Sequence, residues 1–273
     1  MKEADLIHKT GERPITRDRL VEDLRIIGVR AGMELVVHSS LSSVGWVCGG
    51  ARTLIEALQE IIRPWGLLVM PAHSGDLSDP SGWQHPPVPE SWWETIREEM
   101  PAYDPDRTPT RGIGVTAELF RTWPEVVRST HPQLSFSFWG ERARESAEGH
   151  GLDFALGDDS PLARLYDRQA QVLLLGAGYE SNTSFHLAEY RADYGSKKVV
   201  DSAAPVLVGG HRRWKWFKDI NIDSDDFAEI GRAFEKKHGD EIKRGRVGLA
   251  DCRLFSQPLC VDFAVSWMER HRR

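Results

Sequence analysis

Apolar residues fall at helical spacing in the segment opening at Thr16, where Leu20, Leu24 and Ile27 share a face before Gly28 ends the run. Residues 34–38 form a compact apolar stretch that predicts a strand. The serine- and glycine-bearing stretch 39–50 follows it and reads as a loop. Ala51, Leu54, Ile55, Leu58, Ile61 and Ile62 then keep one face of a strongly amphipathic helix over 51–62. Residues 66–70 are again strand-like. Strand, helix and strand make a βαβ unit, so a parallel sheet with right-handed crossovers is expected.

Beyond residue 110 the pattern predicts helices at 114–123, 140–149 and 160–167, the last capped by Ser160 with Pro161 at its first position. Strands are expected at 133–138 and 171–175. Residues 197–208 and 212–217, joined through Gly209-Gly210, predict a hairpin. A helix over 225–237, a last strand over 246–255 and a closing helix over 258–270 complete the chain, and residues 1–15 read as a polar lead-in. The stretch 71–109 stands apart, with prolines, tryptophans and acids and little periodicity outside a helical piece near 91–99. Long irregular segments in compact domains are functional loops or disordered ones. The tryptophans argue against disorder, so the segment is expected to be an ordered wall over a site.

Composition narrows the class. At 273 residues and 40% hydrophobic content the chain can bury a sizeable core, as one large domain carrying an insertion at about 71–110. No apolar run is long enough for a membrane helix, and no apolar stretch follows Met1-Lys2-Glu3 to suggest a secretory signal. Cys48, Cys252 and Cys260 lack CxxC spacing, which suits a reducing cytoplasm. A formal net charge of −6 speaks against general nucleic-acid binding and permits cationic partners.

The chemistry concentrates at 174–190, where an apolar strand runs into Gly176 and Gly178, then Asn182 or Thr183 as N-cap, then a helix carrying His186 and Glu189. Three residues apart, these two point the same way, which suits a general base held by a carboxylate and equally an ordinary surface pair. In open α/β sheets ligands bind where strands end and helices begin. The loop after the first strand, Ser39-Ser40, offers amides and hydroxyls to an anion, but matches neither GxGxxG nor the P-loop. Nothing marks Cys48 as an activated nucleophile, and His38, His73, His131 and His186 lack metal-site spacing, so no metal is expected. A serine–histidine hydrolase is the competing reading, weakened by the lack of GxSxG and by Ser184 lying only two residues from His186.

Several blocks together resemble the aminoglycoside 3-N-acetyltransferases, antibiotic acetyltransferases outside the GNAT fold. They are His38-Ser39-Ser40-Leu41-Ser42, Met70-Pro71-Ala72-His73-Ser74, Thr108-Pro109-Thr110-Arg111-Gly112-Ile113-Gly114, Arg128-Ser129-Thr130-His131-Pro132, Ser160-Pro161-Leu162 and Asn182-Thr183-Ser184-Phe185-His186-Leu187-Ala188-Glu189. The resemblance implies a three-layer α/β sandwich with a mainly parallel central sheet and an added hairpin part. It implies direct transfer from acetyl-CoA to the 3-amino group of a deoxystreptamine aminoglycoside in a ternary complex. His186 then corresponds to the base and Glu189 to its orienting carboxylate. Ser39, Ser40, Leu41, Ser42, Val44 and Gly45, with Arg111, Gly112, Ile113 and Gly114, correspond to the acetyl-CoA contacts. Because the drug is a polycation, Asp76, Glu90 and Asp104, with Asp79 and Glu94, are candidates to hold its ammonium groups. A different amine within the same family remains the alternative substrate, and either a monomer or a homodimer is compatible.

Overall fold

The computed structural model describes residues 3–273. Its strands are β1 (Glu34–Ser39), β2 (Leu67–Pro71), β3 (Val127–Arg128), β4 (Phe136–Gly140), β5 (Gln171–Leu175), β6 (Val199–Val208), β7 (His211–Ile220), β8 (Lys243–Val247) and β9 (Ala250–Ser256). Its helices are α1 (Glu3–Thr10), α2 (Arg17–Ile27), α3 (Leu41–Val44), α4 (Gly50–Ile62), α5 (Trp93–Glu99), α6 (Val115–Arg121), α7 (Ala143–Ala147), α8 (Pro161–Asp167), α9 (Ser184–Arg191), α10 (Phe227–His238) and α11 (Gln257–His271). The seven-stranded sheet runs β3-β4-β2-β1-β5-β9-β8, and β6 with β7 forms a separate hairpin.

The three central strands β2, β1 and β5 are parallel neighbours. The outer strands join by antiparallel pairing on both sides, so five of the seven strands share one direction. Alternation along each strand feeds two cores. Val36, Val69, Phe138, Val172 and Leu174 face α7 to α11, whereas Leu35, Val37, Leu68, Met70, Leu173 and Leu175 face α2, α4 and α6. Helices, sheet and helices are the expected three layers.

The local chemistry of the ends matches the elements. Thr16 Oγ1 accepts from Arg19 N to open α2, and Gly28 closes it at φ 99°. Ser160 caps α8 with Pro161 at its first position. Three expectations need correction. The lead-in, of which residues 1 and 2 lie outside the described part, contains α1. The loop after β1 contains the turn of helix α3. The expected last strand is a hairpin, β8 and β9, because Gly248 takes a left-handed φ of 60° and turns the chain midway.

The segment 71–110 is ordered and is fastened by one buried cation. Arg128, 6% exposed, donates to Ala72 O (2.6 Å), Ser74 Oγ (2.8 Å), Ser135 Oγ (3.0 Å) and the carbonyl of Thr108. One guanidinium thus satisfies carbonyls at both ends of the segment, beside the amides of Ala72 and Ser74, which bond Ser135 O and Gln133 O in continuation of the β2–β4 pairing. His131 and His150 in the neighbouring turns have both ring nitrogens engaged. His131 Nδ1 accepts from Gln133 N and Leu134 N, and its Nε2 donates to Leu152 O. His150 Nε2 donates to Ala155 O and its Nδ1 accepts from Ser129 Oγ. Their burial pulls them down to about 4 and about 3. They are structural, not ligands for an ion.

Candidate active site

The C-terminal ends of β1, β2 and β5 come out at one edge of the sheet, and a cavity of about 290 Å³ opens there. Its walls are His38 and Ser39 from β1, Pro71 from the end of β2 and His73 just beyond it, Gly112 and Ile113 from the stretch before α6, and Ala177 and Glu180 to Thr183 from the β5–α9 connection. His186, Ser224 and Phe227 close it. Strand ends release backbone donors and acceptors from the sheet, which is why ligands gather at this edge. The connection turns at Gly176, whose φ is 66° and where a Cβ would stand 2.6 Å from that of Ser43. Only glycine lets the two loops approach so closely.

α9 starts differently from expectation. Thr183 occupies the cap position with helical angles and its hydroxyl makes no capping bond, while Asn182 Oδ1 accepts from Ser184 N at 3.3 Å. The last turn is closed by Lys197, whose ammonium donates to the carbonyls of Glu189, Tyr190 and Ala192. A cation on the helix C-terminus offsets the partial negative charge there.

From this helix His186 and Glu189 face each other, with Nδ1 to Oε2 at 2.5 Å. An ionised carboxylate can only accept, so Nδ1 carries a hydrogen, and in the neutral imidazole the Nε2 lone pair is left. The ring packs on Phe227 with centroids 4.8 Å apart. Glu189 is fully buried, and its other oxygen accepts from Asp223 N (2.8 Å) and Arg272 Nη1 (2.5 Å). Arg272 in turn forks onto Asp226 at 2.6 and 2.8 Å. Its guanidinium is pushed above its ordinary range by these two carboxylates, against the opposing effect of burial. Arg272 and Asp223 escape sequence reading because they lie 83 and 34 positions from the carboxylate they serve.

The remaining expected contacts divide. Ser39, Gly112 and Ile113 line the cavity. Ser40 is not among the lining residues; its amide donates to Leu175 O and its hydroxyl accepts from Ser43 Oγ. Leu41 and Ser42 lie on the short helix α3, and Gly45 follows it at φ 104°. Val44 is fully buried in the core and its carbonyl is used by Leu249 N, so its side chain is a packing residue. Gly114 precedes α6 at φ 88°. Arg111 pairs with Asp76, and both line a second cavity of about 500 Å³ with Trp83, His85 and Val88.

The expected ammonium-binding acids do not converge on His186. Asp79 is forked by Arg97 at 2.7 and 2.9 Å, which holds it below the usual carboxylate range. Asp104 spends its carboxylate on the amides of Asp106 and Arg107 in its own turn. Glu90 and Glu94 are exposed on the outer wall. The free carboxylate that lines the cavity is Glu180, in the connection rather than the wall. Among the described residues no group of three or more histidine, cysteine or acidic side chains is arranged to hold a metal.

The profile of the aminoglycoside 3-N-acetyltransferase family matches residues 36–269. The chain is 50% identical over 255 residues to the prophage-derived aminoglycoside N(3′)-acetyltransferase-like protein YokD of Bacillus subtilis, covering 93% of this chain and 92% of that one. The crystal structure of YokD superposes with a TM-score of 0.95, covering 98% of both chains. An AAC-IIIb enzyme in binary complex with CoASH superposes at 0.85 with 30% identity, covering 95% and 98%. AAC-VIa bound to sisomicin does so at 0.83 with 30% identity, covering 95% and 99%. With the profile spanning most of the chain and the same layers, sheet and hairpin present, this protein belongs to the aminoglycoside 3-N-acetyltransferase family.

Proposed function

We propose that the protein transfers the acetyl group of acetyl-CoA to the 3-amino group of a 2-deoxystreptamine aminoglycoside and so confers resistance to it. The observation that carries this reading is the His186–Glu189–Arg272 array at the edge of a cavity bounded by Ser39 and Gly112-Ile113. The bound CoASH and sisomicin of the structural relatives support it.

In this reading the amine nitrogen attacks the thioester carbonyl, the C–N bond forms and the C–S bond breaks. His186 Nε2 takes the proton the nitrogen loses and returns it to the departing thiolate as CoASH. Glu189 fixes the imidazole tautomer and supports the imidazolium. Glu180 meets an ammonium group of the drug at the cavity, and Asp76, Glu90 and Asp104 contribute only through the outer wall. Residues 1–273 act as one antibiotic N-acetyltransferase domain, with the stretch 71–110 as its substrate wall. We further read it as an enzyme of a reducing, cytoplasmic setting, supported by three free cysteines, of which Cys252 and Cys260 are pushed by burial up to about 11 and about 12.

The test is free-thiol release from acetyl-CoA with and without gentamicin. Drug-dependent release is expected, and His186→Ala should lower it about 10²- to 10⁴-fold while acetyl-CoA binding persists. Undiminished release in that variant removes His186 as base, and release that ignores the drug removes the aminoglycoside as substrate.

A further inference from the structure

Three imidazoles share the cavity, and only one of them has a carboxylate. His38 is 7% exposed, and its Nε2 is buried with no hydrogen-bond partner in the protein. The Nε2 of His73 is in the same condition. Of the buried side-chain polar atoms without a partner among the described residues, these two are the ones that belong to cavity-lining side chains. The contrast with His131 and His150, whose ring nitrogens are all engaged, is direct. Buried polar groups are almost always paired, because an orphan gives up its hydration for nothing. Two such buried atoms, on side chains that line one cavity, point to a ligand that completes them.

The neutral state of the pair suits a donor role. Burial first, and then the nearness of His186, pull His38 and His73 down to about 3. Neither competes with His186 for the amine proton, and neither places a positive charge against a cationic substrate. Their position favours the acyl side of the reaction. His38 is the penultimate residue of β1, paired with Leu174 of β5, and the chain runs from it straight into Ser39. His73, near the start of the wall segment, accepts Arg111 N on its carbonyl at 2.9 Å, next to Gly112 and Ile113. Glu180 and His186 line the same cavity from the β5–α9 connection and helix.

We propose that His38 and His73 donate hydrogen bonds from Nε2–H to the carbonyl oxygen of the acetyl thioester and hold the oxyanion that forms when the amine attacks. This inference rests on the acetyltransferase reading. No proton is transferred by either ring; charge moves onto the oxygen as the C–N bond forms and returns as the C–S bond breaks. A fixed neutral imidazole acts as an electrophile in this way without reorganisation during the step.

The test compares acetyl-CoA with CoA by calorimetry in the wild type, His38→Phe, His38→Gln and the same pair at His73, followed by turnover with gentamicin. CoA lacks the acyl oxygen, so the wild type should prefer acetyl-CoA by about two- to ten-fold. The phenylalanine variants should lose that preference while binding CoA as before. Their kcat should fall about 10²- to 10³-fold, with the glutamine variants, which carry an N–H donor, recovering part of it. Equal affinity for the two cofactors in the wild type overturns the proposal. So does an equal loss of CoA binding in the phenylalanine variants, or a kcat that does not move. Because the calorimetry needs no amine, a wild type that shows the preference and yet transfers to no aminoglycoside separates failure of the substrate reading from failure of this one.

Discussion

Replacing Arg272 by Met removes one cation and leaves the shape of the side chain largely intact. Glu189 has no exposure, and Arg272 is 9% exposed, so the pair is shielded from solvent and salt. Without the guanidinium, Glu189 keeps one amide from Asp223 and the imidazole of His186. Breaking one side of a buried pair costs about 3–5 kcal/mol, and the carboxylate recovers part of it by drawing a proton onto His186. At an effective dielectric of about 20, two unit charges separated by one carboxylate interact by about 2–3 kcal/mol, or roughly 1.5–2 pH units. The acid limb of the kcat/KM profile should therefore move up by that amount. Turnover would be depressed on the acid side of the profile and approach the parent value as the pH rises. The assay is thiol release from acetyl-CoA with gentamicin between pH 5.5 and 9.5, run beside thermal unfolding. Arg272→Lys, which keeps the charge, should hold the limb close to its original place. A loss of turnover equal at every pH would refute the electrostatic account and leave Arg272 a purely structural clamp.

Three further outcomes are expected. Glu189→Gln keeps the volume but no longer fixes the imidazole tautomer, so kcat should fall about 10²- to 10⁴-fold with acetyl-CoA affinity unchanged; full activity would remove Glu189 from the mechanism. Gly231→Ala places a Cβ 2.1 Å from Cγ of the buried Tyr179, and overpacking of about 1–3 kcal/mol exceeds the helical gain of at most about 1 kcal/mol for alanine over glycine, so thermal unfolding should come at a lower temperature. For pH, His131 and His150 bind protons more readily unfolded than folded, their folded values of about 4 and about 3 lying below the ordinary 6.5. Stability is therefore complete above about pH 6.5 and is lost as the pH falls toward 4, by about 2 kcal/mol per histidine between pH 7 and 5. A denaturant midpoint that does not move over that interval, or rises on acidification, would contradict the burial argument.

What the sequence by itself determined is whatever short-range pattern dictates. The helical spacing at Leu20, Leu24 and Ile27, the apolar runs of β1, β2 and β5, and the cap at Ser160 each follow from neighbours a turn or less away. The His186–Glu189 pair was legible for the same reason, since three residues on a helix share one face. The β8–β9 hairpin was missed because its turn contains one glycine inside an otherwise continuous strand-like run, and the alternation does not reveal the reversal.

Only the tertiary structure decided which charges are free. Asp76, Asp79 and Asp104 are acidic in the sequence, yet each meets a partner that folding delivers, Arg111 and Arg97 across the wall and the amides of its own turn. Glu180, unremarkable in composition, is left facing the cavity. The same holds for Arg272, brought to Glu189 by the packing of α11 against α9, and for His38 and His73, whose orphaned nitrogens exist only because three strand ends meet. Hydrophobic periodicity fixes elements locally, whereas the solvation and pairing of a polar group depend on every segment packed around it.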